Sequence, residues 1–146
     1  MVKEQYVTSK TANLAKEVKF DGASDKYYYN DSNLIDTRER IKYTQEGLQD
    51  YMEDECPHIS PDKFTICPTQ ELLARWIREE YDLSVEVCST PYGYTWCVCA
   101  GHEGVPFVSP GDCDEDNPDT YEASKEIALQ KALKLIKRGS VTKYRN

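Results

Sequence analysis

No apolar run in this chain of 146 residues approaches the roughly 18–20 that a membrane span requires. Its first residues, MVKEQYVTSK, lack the apolar stretch of a secretory signal, so the expectation is a soluble, cytoplasmic protein. Histidine is scarce: His58 and His102 are the only two. No Gly-rich phosphate loop, nucleophile elbow or HExxH motif is present. Without such a constellation no catalytic residue is assigned, no cofactor is implied, and the chain reads as a non-enzyme. Basic charge is in the minority, with 18 Lys+Arg against 26 Asp+Glu and a net charge of -8. That balance argues against general nucleic-acid binding, which relies on clustered Lys and Arg.

Knuckle-spaced cysteine pairs are missing too. Cys56, His58 and Cys67 offer one set of soft ligands, and Cys97, Cys99 and His102 another. Zinc sites usually draw ligand pairs from turns, two to four residues apart. Cys97 and Cys99 stand two apart on an expected strand and share one face, which suits chelation poorly. Cys56, Cys67, Cys88, Cys97, Cys99 and Cys113 are therefore expected to be reduced, metal-free thiols. Cys88 and Cys97, across a short turn, are the pair most able to form a bridge.

What is present suits one α+β domain: a small antiparallel sheet with helices packed on one face. Residues 1–63 read as a polar, Tyr-rich segment, a helix and a hairpin packed on the core. Residues 64–139 read as an α-β-β-(β)-α core, and 140–146 as a basic tail. The first helix is expected over Ser9–Lys19, capped by Ser9 and ended by a left-handed Gly22. Lys26–Tyr29 and Leu34–Asp36 flank the turn formers Asn30–Asn33, a hairpin signal. Thr44–Met52 suits a short helix interrupted by Gly47, and 53–62 a loop.

The second half is more periodic. A helix is expected over Gln70–Tyr81 with Thr69 as its cap, followed by strands at 83–88, 94–99 and 105–108. A last helix runs from Tyr121 to Arg138, opened by Asp119 and Glu122 and stopped by Gly139. Leu73, Trp76, Ile77, Val85, Val87, Trp96, Val98, Ala132, Leu135 and Ile136 form the expected core, and Tyr121, Ala128 and Leu129 belong to the same buried stripe of the last helix. The acidic run 112–119 resembles a calcium loop, but its sixth and twelfth positions hold Asn117 and Ala123 where Gly and Glu are needed. It reads as a solvated loop, and no metal ligand is assigned.

Tyrosine is the abundant aromatic, with 11 residues. Tyr27, Tyr28 and Tyr29, with Tyr92 and Tyr94 beside a turn, suit an amphipathic recognition surface. They suit equally well the simple covering of a sheet. For a small ligand, these rings can stack on a base while Arg75 or Arg78 meets a phosphate.

Two resemblances add to this. The order helix–strand–strand–(strand)–helix, ending in Ala128–Ile136, resembles the fold of double-stranded-RNA-binding domains. The basic cluster that opens their last helix is replaced here by Asp119–Lys125 behind an acidic run, which opposes RNA binding. Pro68-Thr69-Gln70-Glu71-Leu72-Leu73-Ala74-Arg75-Trp76-Ile77-Arg78-Glu79 resembles the PTQxxLxxWLRE signature of small bacteriophage and prophage proteins. Tyr121-Glu122-Ala123 and Ala128–Ile136 are similar to their closing segment, and Thr11–Glu17 with Phe20 and Tyr27–Tyr29 fits their layout. The acidic linker 36–64 and the cysteines depart from the pattern. This resemblance implies an origin in a phage or prophage, acting in the bacterial host cytoplasm, and brings no catalytic residue. The expected function is non-enzymatic binding of a host or phage protein, a defence-system component among the candidates. The alternative is binding or sequestering a small, nucleotide-type ligand. A homo-oligomer is compatible with either.

Overall fold

The computed structural model describes residues 4–100, the strand 105–108 in its backbone, and 120–141. His102, Cys113, the acidic run 112–119 and most of the 140–146 tail lie outside the described residues. The chain divides into two compact units, with the cut after Thr69. Both mix helices with antiparallel sheet, the α+β class that the sequence pattern predicts.

The first unit opens with α1, Ser9–Glu17. Its cap is Thr8 rather than Ser9: the Thr8 side chain accepts a hydrogen bond from the Thr11 N–H, leaving Ser9 as the first helical residue. Lys19, and not Gly22, takes the left-handed conformation after the helix (φ 66°). Gly22 answers a different need, since a β-carbon there would collide with the Phe20 ring. Strands β1, Lys26–Tyr29, and β2, Asn33–Asp36, form the expected hairpin, with left-handed Asn30 and Asp31 at its turn. Helix α2, Gln45–Glu55, begins at the cap Thr44 and runs unbroken through Gly47 into the expected loop. The Gly47 N–H donates to Thr44 Oγ1, so this glycine is part of the helix start and not an interruption.

A third strand, β3 (Phe64–Ile66), pairs antiparallel with β1, giving the sheet order β2-β1-β3. This pairing places 64–69 in the first unit, although the sequence pattern begins the C-terminal core at 64. In the register Tyr27↔Ile66, Tyr28↔Thr65 and Tyr29↔Phe64, successive tyrosines face opposite sides of the sheet. Helix α1 covers the Tyr28 side, where Lys16 Nζ donates to Thr65 Oγ1. Helix α2 lies on the Tyr27 and Tyr29 side.

β3 is an edge strand with a specific partner. Lys63 O and Cys67 N bond β1 through Asn30 N and Lys26 O, so the alternate groups at Phe64 and Ile66 point away from β1. Gln45, at the start of α2, meets both: its Nε2 donates to Phe64 O and its Oε1 accepts from Ile66 N, each at 2.8 Å. One side-chain amide thus stands in for a neighbouring strand.

The second unit follows the pattern more closely. Helix α3 spans Gln70–Tyr81, β4 Leu83–Thr90, β5 Gly93–Ala100, β6 Val105–Val108 and α4 Tyr121–Lys137. The sheet order is β4-β5-β6; α4 packs against β4 and β5, and α3 against β4 and α4. Leu83, Val85 and Val87 pair with Ala100, Val98 and Trp96 and so share the face beneath the helices. Leu73, Trp76, Ile77, Trp96, Val98, Ala132, Leu135 and Ile136 are buried as expected. Val85 and Val87 are only half-buried, because β4 is an outer strand. Ala128 and Leu129 are buried as the α4 stripe predicts, and Leu133 joins the core beside them.

Tyr121 departs from the expected stripe. It is 41% exposed and meets Tyr94 edge-to-face with ring centroids 6.2 Å apart. At the first helical position it lies beyond the covering sheet. Thr120 caps α4 by accepting from the Ala123 N–H, a role the sequence reading gives to Asp119. Gly139 is left-handed (φ 77°) and its N–H donates to Ile136 O, a helix stop of the predicted kind.

Candidate functional site: a tyrosine-lined cavity

The Tyr27 and Tyr29 side of the first unit's sheet does not close completely against α2. β1 contributes Tyr27 and Tyr29, β3 contributes Phe64, and α2 contributes Leu48, Tyr51 and Met52. Tyr43, just before α2, completes the aromatic lining of a cavity of about 460 Å³. That volume lies within the roughly 300–1,000 Å³ of small-molecule sites.

The rings form two groups. Phe64 meets Tyr29 at 5.4 Å with a 37° tilt and Tyr27 at 6.0 Å edge-on. Tyr43 and Tyr51 meet each other at 5.3 Å with a 31° tilt. Both are ordinary aromatic geometries that hold the rings without polar ties. Asp36, Arg38 and Glu55 bring charge to the lining. Asp36 is bound to Lys26, whose hydrogen bond and charge hold its carboxyl below the usual range. Arg38 sits on a tight turn in which Glu39 and Arg40 are both left-handed (φ 56° and 57°), a conformation that costs L-residues about 1–2 kcal/mol each. The Thr37 hydroxyl braces that turn by donating to Ile41 O.

Hydroxyl bonding separates the tyrosines of this unit. Tyr6 donates to Asp25 Oδ1 at 3.0 Å, and Tyr28 donates to Val7 O at 2.8 Å. Among the described residues, the hydroxyls of Tyr27, Tyr29, Tyr43 and Tyr51 have no hydrogen-bond partner. Tyr27 is 9% exposed as a residue, and what remains exposed includes its hydroxyl, which is not among the buried polar atoms left without a partner. Burial pushes its phenol above the ordinary value, and the nearby Cys56 and Tyr51 add to the shift. A phenol that opens on such a cavity is satisfied by water or by a ligand that displaces that water.

The residues singled out from sequence separate accordingly. Tyr27 and Tyr29 line the cavity, while Tyr28 is spent on the opposite face. Arg75 and Arg78 are exposed on α3 of the second unit and do not line it. Tyr92 is 87% exposed at the β4–β5 turn, and Tyr94 is engaged with Tyr121. Sequence reasoning missed Tyr43, Tyr51, Phe64, Arg38 and Glu55. The alternation along Tyr27-Tyr28-Tyr29 was the one signal that could have sorted the first group.

Among the described residues the thiols form no second site. None of the five described cysteines is in a disulfide, and no group among the described residues is arranged to hold a metal. Cys88 pairs with Thr95 and Cys97 with Glu86, so the pair most able to form a bridge stands two residues out of register. Cys97 and Cys99 share a face with their Sγ atoms 3.4 Å apart. Burial first, and then the hydrogen bond with Cys99, push the Cys97 thiol up to about 12. With so little thiolate near neutral pH, Cys97 should alkylate far more slowly than the exposed Cys88. Timed iodoacetamide labelling with peptide mapping checks this, and equal rates would contradict the arrangement.

No family model, curated protein or solved structure matches this chain. The site's chemistry rests on its own residues.

Proposed function

We propose that the protein is a non-enzymatic binder that holds a small organic ligand in the tyrosine-lined cavity. The observation that carries this reading is the set of unpartnered phenols at Tyr27, Tyr29, Tyr43 and Tyr51, facing a volume sized for such a ligand. Stacking on the rings supplies affinity, and the hydroxyls supply orientation. A host or phage protein partner is the second reading, favoured by the almost fully exposed Tyr92 at a hairpin tip.

One experiment addresses both. The chain is purified gently from its host and examined by native mass spectrometry. An added mass below about 1 kDa, lost in Tyr51→Ala, is the expected result. A co-purifying polypeptide lost in Tyr92→Ala, with the cavity empty, would favour the second reading. A mass equal to the bare chain would count against both.

A further inference from the structure

We infer that the cavity selects an organic cation: an alkylated ammonium group carried on a small body. This inference rests on the small-ligand reading and adds to it the sign of the ligand's charge. Three features converge on that sign. The first is the lining itself, since the faces of Tyr27, Tyr29, Tyr43, Tyr51 and Phe64 carry the negative lobe of the aromatic quadrupole.

The second is the end of α2. Glu55 and Cys56, at the helix C-terminus, both line the cavity. The last helical carbonyls there carry partial negative charge, and α2 has no basic residue in its last turn to offset it. Asp50, Glu53, Asp54 and Glu55 crowd that half of the helix instead. The third is that Glu55 has no ion pair among the described residues, whereas Asp36 is already held by Lys26. An uncompensated carboxylate beside aromatic faces favours a cation and repels a phosphate.

Arg38 is the opposing charge, exposed at the rim and also without an ion pair among the described residues. The inference therefore assigns opposite signs to two substitutions at one site. Removing Arg38 should tighten cation binding, and removing the Glu55 charge should weaken it. Alkylation suits the cavity because methyl groups shed water readily and contact ring faces, while Met52 and Leu48 supply apolar wall.

The test uses the full chain with matched probes: choline, its uncharged isostere 3,3-dimethyl-1-butanol, and adenosine 5′-monophosphate. Met52, one of two methionines, gives a methyl NMR signal inside the site. Choline should shift that signal and bind at least about tenfold more tightly than the isostere, the ratio that about 1.4 kcal/mol of cation–aromatic attraction produces. Glu55→Gln should weaken choline about two- to fivefold, as for a partly exposed charge pair, and Arg38→Ala should strengthen it. Both positions are exposed, so both variants should fold. Isostere or nucleotide binding as tight as choline at Met52 would overturn the cation assignment and leave the small-ligand reading standing. No shift with any probe would overturn both.

Discussion

Trp96→Ala is expected to cost about 3–5 kcal/mol, the range for removing a large aromatic from a core. The side chain is 2% exposed, lies on the central strand β5, and pairs with Val87 on the face that α3 and α4 cover. Its loss would leave a void bounded by regular elements on every layer, with little freedom to collapse. The indole Nε1 has no hydrogen-bond partner among the described residues. Trp96→Phe should therefore cost well under the alanine variant, because it discards an unsatisfied N–H along with some contact area. Denaturant midpoints rank the two variants. Hydrogen exchange should show faster opening in β4, β5 and α4, and an alanine variant as stable as the parent would refute this core.

Gln45→Ala should cost about 2–4 kcal/mol, a large effect for a half-buried polar residue. The substitution strands two backbone groups, Phe64 O and Ile66 N, on residues that are themselves buried. Each unsatisfied group is worth about 1–3 kcal/mol. Lys16 Nζ, at 3.5 Å from Phe64 O, offers only a weak substitute for one of them. Gln45→Glu is a sharper probe, since it keeps the acceptor for Ile66 N but replaces the donor to Phe64 O by a repelling carboxylate. The Ile66 amide should exchange faster in Gln45→Ala and stay protected in a residual population of Gln45→Glu. Unchanged Ile66 protection in Gln45→Ala would show that another group holds this edge.

The second unit was legible because its elements are long and periodic. The apolar stripe of Leu73, Trp76 and Ile77 sets α3 with both ends correct, and alternation sets β4 and β5 to within two residues. The first unit was legible in its local pieces, α1 and the hairpin, but not in its assembly. β3 is three residues long, too short to show a period, and its partner β1 lies far back in the sequence. The cavity inherits that difficulty. Tyr29, Tyr43, Tyr51 and Phe64 meet only once the β1–β3 pairing and the packing of α2 exist, so no local motif records them. Arg75 and Arg78 illustrate the converse. They sit in the most recognisable segment of the chain, yet they do not line the cavity.

The amide of Gln45 has a consequence for how the chain behaves in company. An unpaired strand edge is a template on which another extended chain can add, and the residues of β3, Phe-Thr-Ile, have the β-propensity that invites such addition. By occupying the outward Phe64 and Ile66 groups, Gln45 closes that template with a side chain that cannot propagate a ladder. Lys16, bonded to Asp62 O and Thr65 Oγ1, sets a positive charge beside the same strand. The first unit's sheet thus ends at β3 in a polar clasp, and this edge is kept from recruiting further strands when many copies of the protein crowd together.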